Sequence, residues 1–382
     1  MTSELSIFAA RLRDYISICE MEPLLLEPSD DPALKAHCDA EFNGMALVLF
    51  ALQCKQNPSY RRFAQARGIA SAEVGHWSEI PAIPTDAFKE LELSCLPAAE
   101  RTRVFHSSGT TRQTPSRHFH NPESLGVYEA SLLAWFRARM LPGGAAARAN
   151  LDLAVLTPAA GQAPHSSLAH MLECVRREFR AAGAAEGFVF GQVDNEGAWG
   201  LDFEGVVKTI RAAVEKKRPL LFAGTAFSFV HLLDFLAVRG LTFALPEGSR
   251  VMETGGYKNR SRTLPKAALH SLITDLMGVS PSGIFCEYGM SELSSQAYDR
   301  VEVAGSRVFR FPPWARARVI SPEIGREVEN GETGILQIID LANVFSVLAV
   351  QTEDLAIRRE DAFELLGRSE KTEPRGCSLR AG

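Results

Sequence analysis

Val104-Phe105-His106-Ser107-Ser108-Gly109-Thr110-Thr111-Arg112-Gln113-Thr114-Pro115-Ser116-Arg117 puts hydroxyls, a glycine and two guanidinium groups into one turn-prone segment. Small residues let a backbone bend tightly, so its N–H groups and the Ser and Thr hydroxyls can surround a polyanion such as a nucleotide triphosphate. The stretch reads as a phosphate cradle. It is not of the Walker type, because the Gly-x4-Gly-Lys-Ser/Thr spacing is absent, and no strand-linked Gly-x-Gly-x-x-Gly is present. Composition alone fits an ordinary solvated loop equally well, so the reading depends on what surrounds the segment.

Downstream of it, short apolar runs alternate with longer helical patterns. Leu151 to Leu156, Leu220 to Ala223, Arg250 to Met252 and Ile284 to Cys286 have strand character; Pro122–Met140, Ser167–Ala182, Phe227–Arg239 and Pro265–Met277 have helical periodicity. This alternation predicts an α/β fold with a mostly parallel sheet covered by helices on both faces. Ligands in such folds bind beyond the carboxyl ends of the strands, where this chain places Thr157-Pro158, Gly224-Thr225, Thr254-Gly255-Gly256 and Tyr288-Gly289. From about Phe309 the texture changes to Ala317–Ile320, Gly334–Leu341, Val347–Val350 and Leu355–Arg358 without intervening helices, which predicts a small antiparallel β subdomain.

Upstream, Asp31-Pro32 reads as an N-cap followed by proline at the first helical position, and Leu34, Cys38, Phe42, Met45, Leu49 and Leu52 then recur at helical spacing. Asn57-Pro58 ends that helix, and Trp77 to Phe88 carries the chain onward in extended form. The resulting division is a helical part over 1–100, a nucleotide-binding α/β core over 101–300, a β-rich part over 301–366 and a tail over 367–382. No internal repeat or low-complexity tract interrupts it.

Composition narrows the function. The chain has 382 residues, 46% hydrophobic and 23% charged, the profile of an ordinary soluble globular protein with room for more than one lobe. A net charge of -5 gives no reason to expect a nucleic-acid partner. The start, Met1-Thr-Ser-Glu-Leu-Ser, has no basic segment followed by an apolar core, and no window spans a bilayer, so a cytoplasmic location without membrane contact is expected. Seven scattered cysteines without a Cys-x-x-Cys argue against a disulfide framework and a zinc site, and read mostly as small core residues.

Five motifs then occur in order: Ser107-Ser108-Gly109-Thr110-Thr111, Glu253-Thr254-Gly255-Gly256, Glu287-Tyr288-Gly289-Met290-Ser291-Glu292, Thr352-Glu353-Asp354 and Gly367-Arg368. Together they resemble the core motifs of the adenylate-forming (acyl-AMP) synthetase superfamily. His106 before the cradle, Leu293-Ser294-Ser295-Gln296 after Glu292, and the ending Arg375-Gly376-Cys377-Ser378-Leu379 are similar to the LuxE-type acyl-protein synthetases, from about residue 80 onward.

The resemblance implies ATP and Mg²⁺ as cofactors and a carboxylic, fatty-type acid as substrate, activated as acyl-AMP and handed to a thiol. Ser107, Ser108, Gly109, Thr110 and Thr111 would hold the triphosphate. Gly255 and Gly256 would let the backbone approach the purine, with Tyr288 stacked on it beside Gly289. Ser291 would donate to the α-phosphate, Glu292 would hold Mg²⁺, and Asp354 would accept the ribose hydroxyls with Arg368 donating nearby. His106 either binds the substrate carboxylate or caps the loop. Cys377, flanked by Arg375 and Arg380, would accept the acyl group and present it to a reductase-type protein partner.

The chain departs from the superfamily pattern in three places. Arg112 stands where a glycine is common; Ser116 and Arg117 stand where a lysine often closes the loop; and the sequence given ends about fifteen residues after Arg368, where superfamily members continue into a mobile domain carrying a catalytic lysine. Charge neutralisation during adenylation would then fall to Arg112, Arg117, Lys258 or a partner. Two other functions remain open at this stage: a truncated acyl-CoA ligase of the phenylacetate type, and a non-catalytic acyl-binding subunit.

Overall fold

The computed structural model describes residues 3–27, 29–107, 114–141, 149–181, 187–195, 197–255, 264–301 and 306–368. Within them the chain builds a mixed α/β fold around one 12-stranded sheet. The strands Asp152–Val155, Leu220–Thr225, Arg250–Thr254 and Ile284–Tyr288 run parallel, each close to the run its sequence predicts.

Their side chains alternate faces as the pleat requires. Leu153, Val155, Leu221, Ala223 and Met252 pack into one core together with Val127, Leu132 and Val175 of the helices Pro122–Met140 and Ser167–Ala181. Ala154, Leu156, Leu220, Phe222 and Val251 pack into the other, with Val206, Phe229 and Ile273 of the helices Phe203–Lys216, Ala226–Val238 and Lys266–Met277. The helix Phe203–Lys216 was not legible as a separate element.

The antiparallel strands join the same sheet. Ala297–Val301 pairs with Ile284–Tyr288, and the order continues through Arg307–Arg310, Ala362–Arg368, Ala349–Arg359 and Thr333–Asp340 to Ala315–Ile320. The runs expected at Val347–Val350 and Leu355–Arg358 are one strand, Ala349–Arg359. It carries an irregularity in its pairing with Ala362–Arg368 between Leu355 and Ala356, which breaks the alternation a sequence reader looks for.

The N-terminal helices Glu4–Met21, Pro32–Gln56 and Pro58–Ala66 are fixed by their caps. Asp31 Oδ1 accepts from Ala33 N at 2.9 Å ahead of Pro32. Asn57 closes one helix and opens the next, its Oδ1 accepting from Tyr60 N at 3.1 Å. The buried stripe of the second helix is Phe42, Met45, Leu49, Phe50 and Gln53, with Leu34, Cys38 and Leu52 only half-buried. Gln53 is there for its hydrogen bonds: Nε2 donates to Asn343 O at 2.7 Å, and Oε1 accepts from Leu348 N at 2.9 Å. The Trp77 to Phe88 segment adds a short parallel strand, Ile83–Pro84, against Ala349–Arg359.

The six cysteines among the described residues are free. No helix among the described residues is long and apolar enough to cross a membrane.

Candidate active site

The carboxyl ends of the parallel strands gather the motifs. Strand register places Thr225 beside Thr254 and Thr254 beside Glu287, so the turns that follow them open on one edge of the sheet. Gly255, directly after Thr254, has φ +73°, a left-handed conformation that a side chain would strain.

The quoted stretch folds as two arms and a tip. Arg103–His106 and Arg117–His120 form an antiparallel hairpin in which His106 faces Arg117, and Ser108 through Gln113 lie outside the described residues. The arms alternate half-buried Val104 and His106 with buried Phe105, and half-buried Arg117 with buried His118, a strand pattern that the hydroxyl-rich centre conceals. At the base of the tip Ser107 Oγ accepts from Ser116 N at 2.9 Å.

This base is fastened to the Tyr288–Gln296 segment. Ser116 Oγ lies 3.4 Å from Ser291 Oγ, and His118 Nδ1 lies 2.8 Å from Ser291 O. Burial is the main cause that takes the His118 pKa down to about 4, so its imidazole is neutral and Nδ1–H donates to that carbonyl. His106 stacks on His165 with ring centroids 4.6 Å apart, and burial, then His165 and Arg117, lower its pKa below the usual imidazole value.

Ser291 and Glu292 are both buried, and Ser291 Oγ donates to Glu292 Oε2 at 3.0 Å. Among the described residues no Lys, Arg or His lies within ion-pair distance of Glu292. A buried carboxylate without a cationic partner is costly, and it suits a site that receives a cation.

The segment is held from beneath by two residues that motif reading missed. Asp340 Oδ2 accepts from Ser294 N at 2.8 Å and Ser295 N at 2.9 Å, while Oδ1 accepts from Ser295 Oγ at 2.7 Å and Ala342 N at 2.9 Å. Asn343 Nδ2 donates to Glu292 O at 2.9 Å. The signal available in the sequence was Asp340 and Asn343 bracketing the end of an apolar strand, where an ordinary turn would look the same.

The motifs that carry Tyr288 and Asp354 meet across the sheet. Tyr288 Oη donates to Asp354 Oδ2 at 2.7 Å, and its ring is buried edge-on against Phe309, Phe311 and Phe363. Asp354 pairs in register with Arg368, whose exposed guanidinium reaches to 3.9 Å. Burial raises the Asp354 pKa above the usual carboxylate value, opposed by the Tyr288 hydrogen bond and the Arg368 charge. Behind them Thr254 Oγ1 donates to Glu287, whose pKa burial raises to about 7. With the Glu287 carboxyl in this position a Cβ at Gly289 would stand 2.3 Å from Oε1, so a side chain there would push that carboxyl aside. Gly256, Lys258, Arg112, Cys377 and the cradle residues Ser108, Gly109, Thr110 and Thr111 lie outside the described residues.

A family model described as acyl-protein synthetase, LuxE, matches residues 13–381. The chain belongs to this family. The LuxE match begins well before residue 80, so the N-terminal helices are part of the family unit. A long-chain-fatty-acid–luciferin-component ligase of Vibrio harveyi is 22% identical over 338 residues, covering 85% of this chain and 82% of that protein. The protein of the same description from Aliivibrio fischeri is 26% identical over 199 residues, about half of each chain. A solved 2-hydroxyisobutyryl-CoA ligase in complex with 2-HIB-AMP has a TM-score of 0.60 at 15% identity, covering 86% of this chain and 68% of that one, which establishes the adenylate-forming fold. As a LuxE-family chain on this fold, the protein is a ligase of the acyl-protein synthetase type.

Proposed function

We propose that this chain uses ATP to convert a fatty-type carboxylic acid into an acyl-AMP and then transfers the acyl group to a protein thiol, with Cys377 as acceptor. The observation that carries the reading is the joining of three distant motifs. The cradle base meets Ser291 through Ser116, and Tyr288 of the same segment meets Asp354 at 2.7 Å.

In the first step a carboxylate oxygen attacks the α-phosphorus, the bond to the bridging oxygen breaks, and pyrophosphate leaves. Ser107, with Ser108, Gly109, Thr110, Thr111 and Arg112, supplies donors and charge to the phosphates, and Ser291 Oγ faces the α-phosphate. Glu292 fits a divalent cation, and Mg²⁺ held there would neutralise phosphate charge. Asp354 accepts the ribose hydroxyls, with Arg368 beside it, while Gly255 and Gly256 flank the purine next to Gly289; Tyr288, buried among Phe309, Phe311 and Phe363, has no open ring face for stacking and serves by orienting Asp354 through its hydroxyl. His106 faces the acid substrate from the hairpin end.

In the second step a thiolate sulfur attacks the acyl carbon and AMP leaves with the electrons of the broken C–O bond. The names of the relatives, long-chain-fatty-acid–luciferin-component ligases, support a long-chain acid for this chain, and the family description, acyl-protein synthetase, supports a protein acceptor.

Pyrophosphate exchange with a panel of acids tests the first step, and mass spectrometry of the enzyme after reaction tests the second. Exchange driven by long-chain acids, with a thioester on Cys377, is expected. A free CoA thioester instead would move the assignment to an acyl-CoA ligase, and no exchange with any acid would overturn adenylation.

A further inference from the structure

Beside the hairpin strand that carries Phe105, three metal-ligand side chains converge. Glu129 comes from the helix Pro122–Met140, and His170 and Cys174 come from one face of Ser167–Ala181 at i,i+4 spacing. His170 Nε2 lies 3.1 Å from Glu129 Oε1 and 3.7 Å from Cys174 Sγ, and all three ligand atoms fall within 4.8 Å of one another. Ligand atoms around a tetrahedral zinc ion stand ~3.3 to 3.7 Å apart given bond lengths of ~2.0 to 2.3 Å, so the 3.7 Å His170–Cys174 edge matches and the 3.1 Å His170–Glu129 edge is slightly short. The third closes by a movement of Glu129, whose side chain is the most exposed of the three ligands.

A second observation marks the place as one that favours positive charge. The Arg177 guanidinium donates from one nitrogen to Cys174 Sγ at 2.9 Å and to Glu129 Oε1 at 3.1 Å. It stands as a placeholder cation on two of the three ligands. Its side chain is 54% exposed, so it can turn into solvent without opening the core. His170 and Cys174 are buried, and the Phe105 and Tyr128 rings pack on the imidazole at centroid distances of 5.4 and 5.8 Å, fixing its orientation.

We propose that Glu129, His170 and Cys174 form a binding site for a thiophilic divalent cation of the zinc type, with water as fourth ligand and Arg177 as the residue the ion displaces. The imidazole binds neutral through Nε2, and the thiol proton leaves to solvent as the metal–sulfur bond forms. Cys-x-x-Cys spacing does not reveal such a site, because the third ligand lies on a different helix. The site would tie the two helices that cover the face behind the hairpin strand carrying Phe105.

The test is Co²⁺ and Zn²⁺ titration of the full chain carrying Cys377→Ser, with a thiolate-to-cobalt charge-transfer band as the spectroscopic readout and bound zinc counted after gel filtration. One zinc per chain and a charge-transfer band are expected. Cys174→Ser should abolish the band, His170→Gln should weaken zinc binding by more than about tenfold, and Arg177→Ala should tighten it by about tenfold by removing the competing cation. Cys38→Ser should leave all of this unchanged. A band that persists in Cys174→Ser, or no stoichiometric metal in the parent chain, would overturn the proposal; circular dichroism of each variant separates loss of a ligand from loss of fold.

Discussion

Tyr288 and Asp354, 66 positions apart, share a 2.7 Å hydrogen bond across the sheet, so the aromatic motif and the acidic motif form one unit. Asp354 has a neutral donor on one side and the exposed Arg368 on the other. Tyr288→Phe removes only the hydroxyl and leaves the ring in its phenylalanine cluster. ATP affinity should fall about threefold to tenfold while the thermal midpoint stays nearly constant, since one charge-assisted hydrogen bond is lost. Calorimetric titration with ATP checks this, and unchanged affinity would separate Tyr288 from the nucleotide site.

Arg368 makes the complementary case. Its side chain is 82% exposed, and exposed ion pairs contribute little to stability. Arg368→Ala should therefore leave urea unfolding unchanged within about 0.5 kcal/mol while raising the KM for ATP. An equal loss of stability and of ATP binding would mean that the pair is structural.

Glu287 should give the protein a pH-dependent stability. Its carboxyl titrates at about 7 in the fold against 4.5 ordinarily, chiefly because it is buried. The folded state keeps a proton that the unfolded state releases across this window, so stability present below pH 4.5 is lost as pH rises through about 7. Glu287→Gln can still accept from Thr254 but cannot ionise. Relative to the parent it should gain up to about 3 kcal/mol between pH 5 and pH 8, read from urea unfolding at both values. Parallel pH profiles for the two proteins would refute the assignment.

Gly289→Ala tests the packing of the same loop. The added methyl would stand 2.3 Å from Glu287 Oε1, inside any tolerable contact, so either the Glu287 carboxyl leaves its bond with Thr254 or the segment carrying Ser291 and Glu292 moves. A displacement of about 1 Å at a reacting centre costs about a hundredfold in rate, so pyrophosphate exchange should fall on that scale while far-ultraviolet circular dichroism is retained.

Asp340→Ala should act on stability. It strands the buried amides of Ser294, Ser295 and Ala342, and the expected cost is about 2 to 4 kcal/mol in urea unfolding. A cost below about 0.5 kcal/mol would show that solvent replaces the carboxylate without penalty.

Physical chemistry decides which parts of this molecule could be read in advance. The parallel strands and their covering helices were legible because period-2 and period-3.6 burial is written directly into residues such as Leu220 to Ala223 and Pro122 to Met140. The residues proposed to face a ligand sit in short motifs after strand ends, and the order of those motifs pointed to the class. Asp340, Asn343, Gln53 and His118 were not legible. Each works by hydrogen-bonding a backbone group distant in sequence, and a polar residue leaves no periodic trace of a partner 45 or 290 positions away. The hairpin arms were hidden for a related reason: buried His118 and His120 occupy positions where a pattern search expects aliphatic side chains.

The clamp on the Tyr288–Gln296 segment also sets an order of assembly. Its carboxylate lies 46 positions downstream of Ser294, and Gln53 waits 295 positions for the Leu348 amide that fixes the Asn343 turn. A nascent chain that has emerged only to residue 300 therefore possesses the motifs up to Glu292 and the contacts of Ser116 and His118 to Ser291, but neither the Asp340 carboxylate that takes the Ser294 and Ser295 amides nor the Asn343 amide that holds the Glu292 carbonyl. Contacts of such long sequence separation close late, after most of the loop-closure entropy has been overcome. Catalytic competence in this enzyme would therefore arrive after bulk folding, and a translation pause or cleavage between 300 and 340 would yield a chain with its helices formed and its active loop unset.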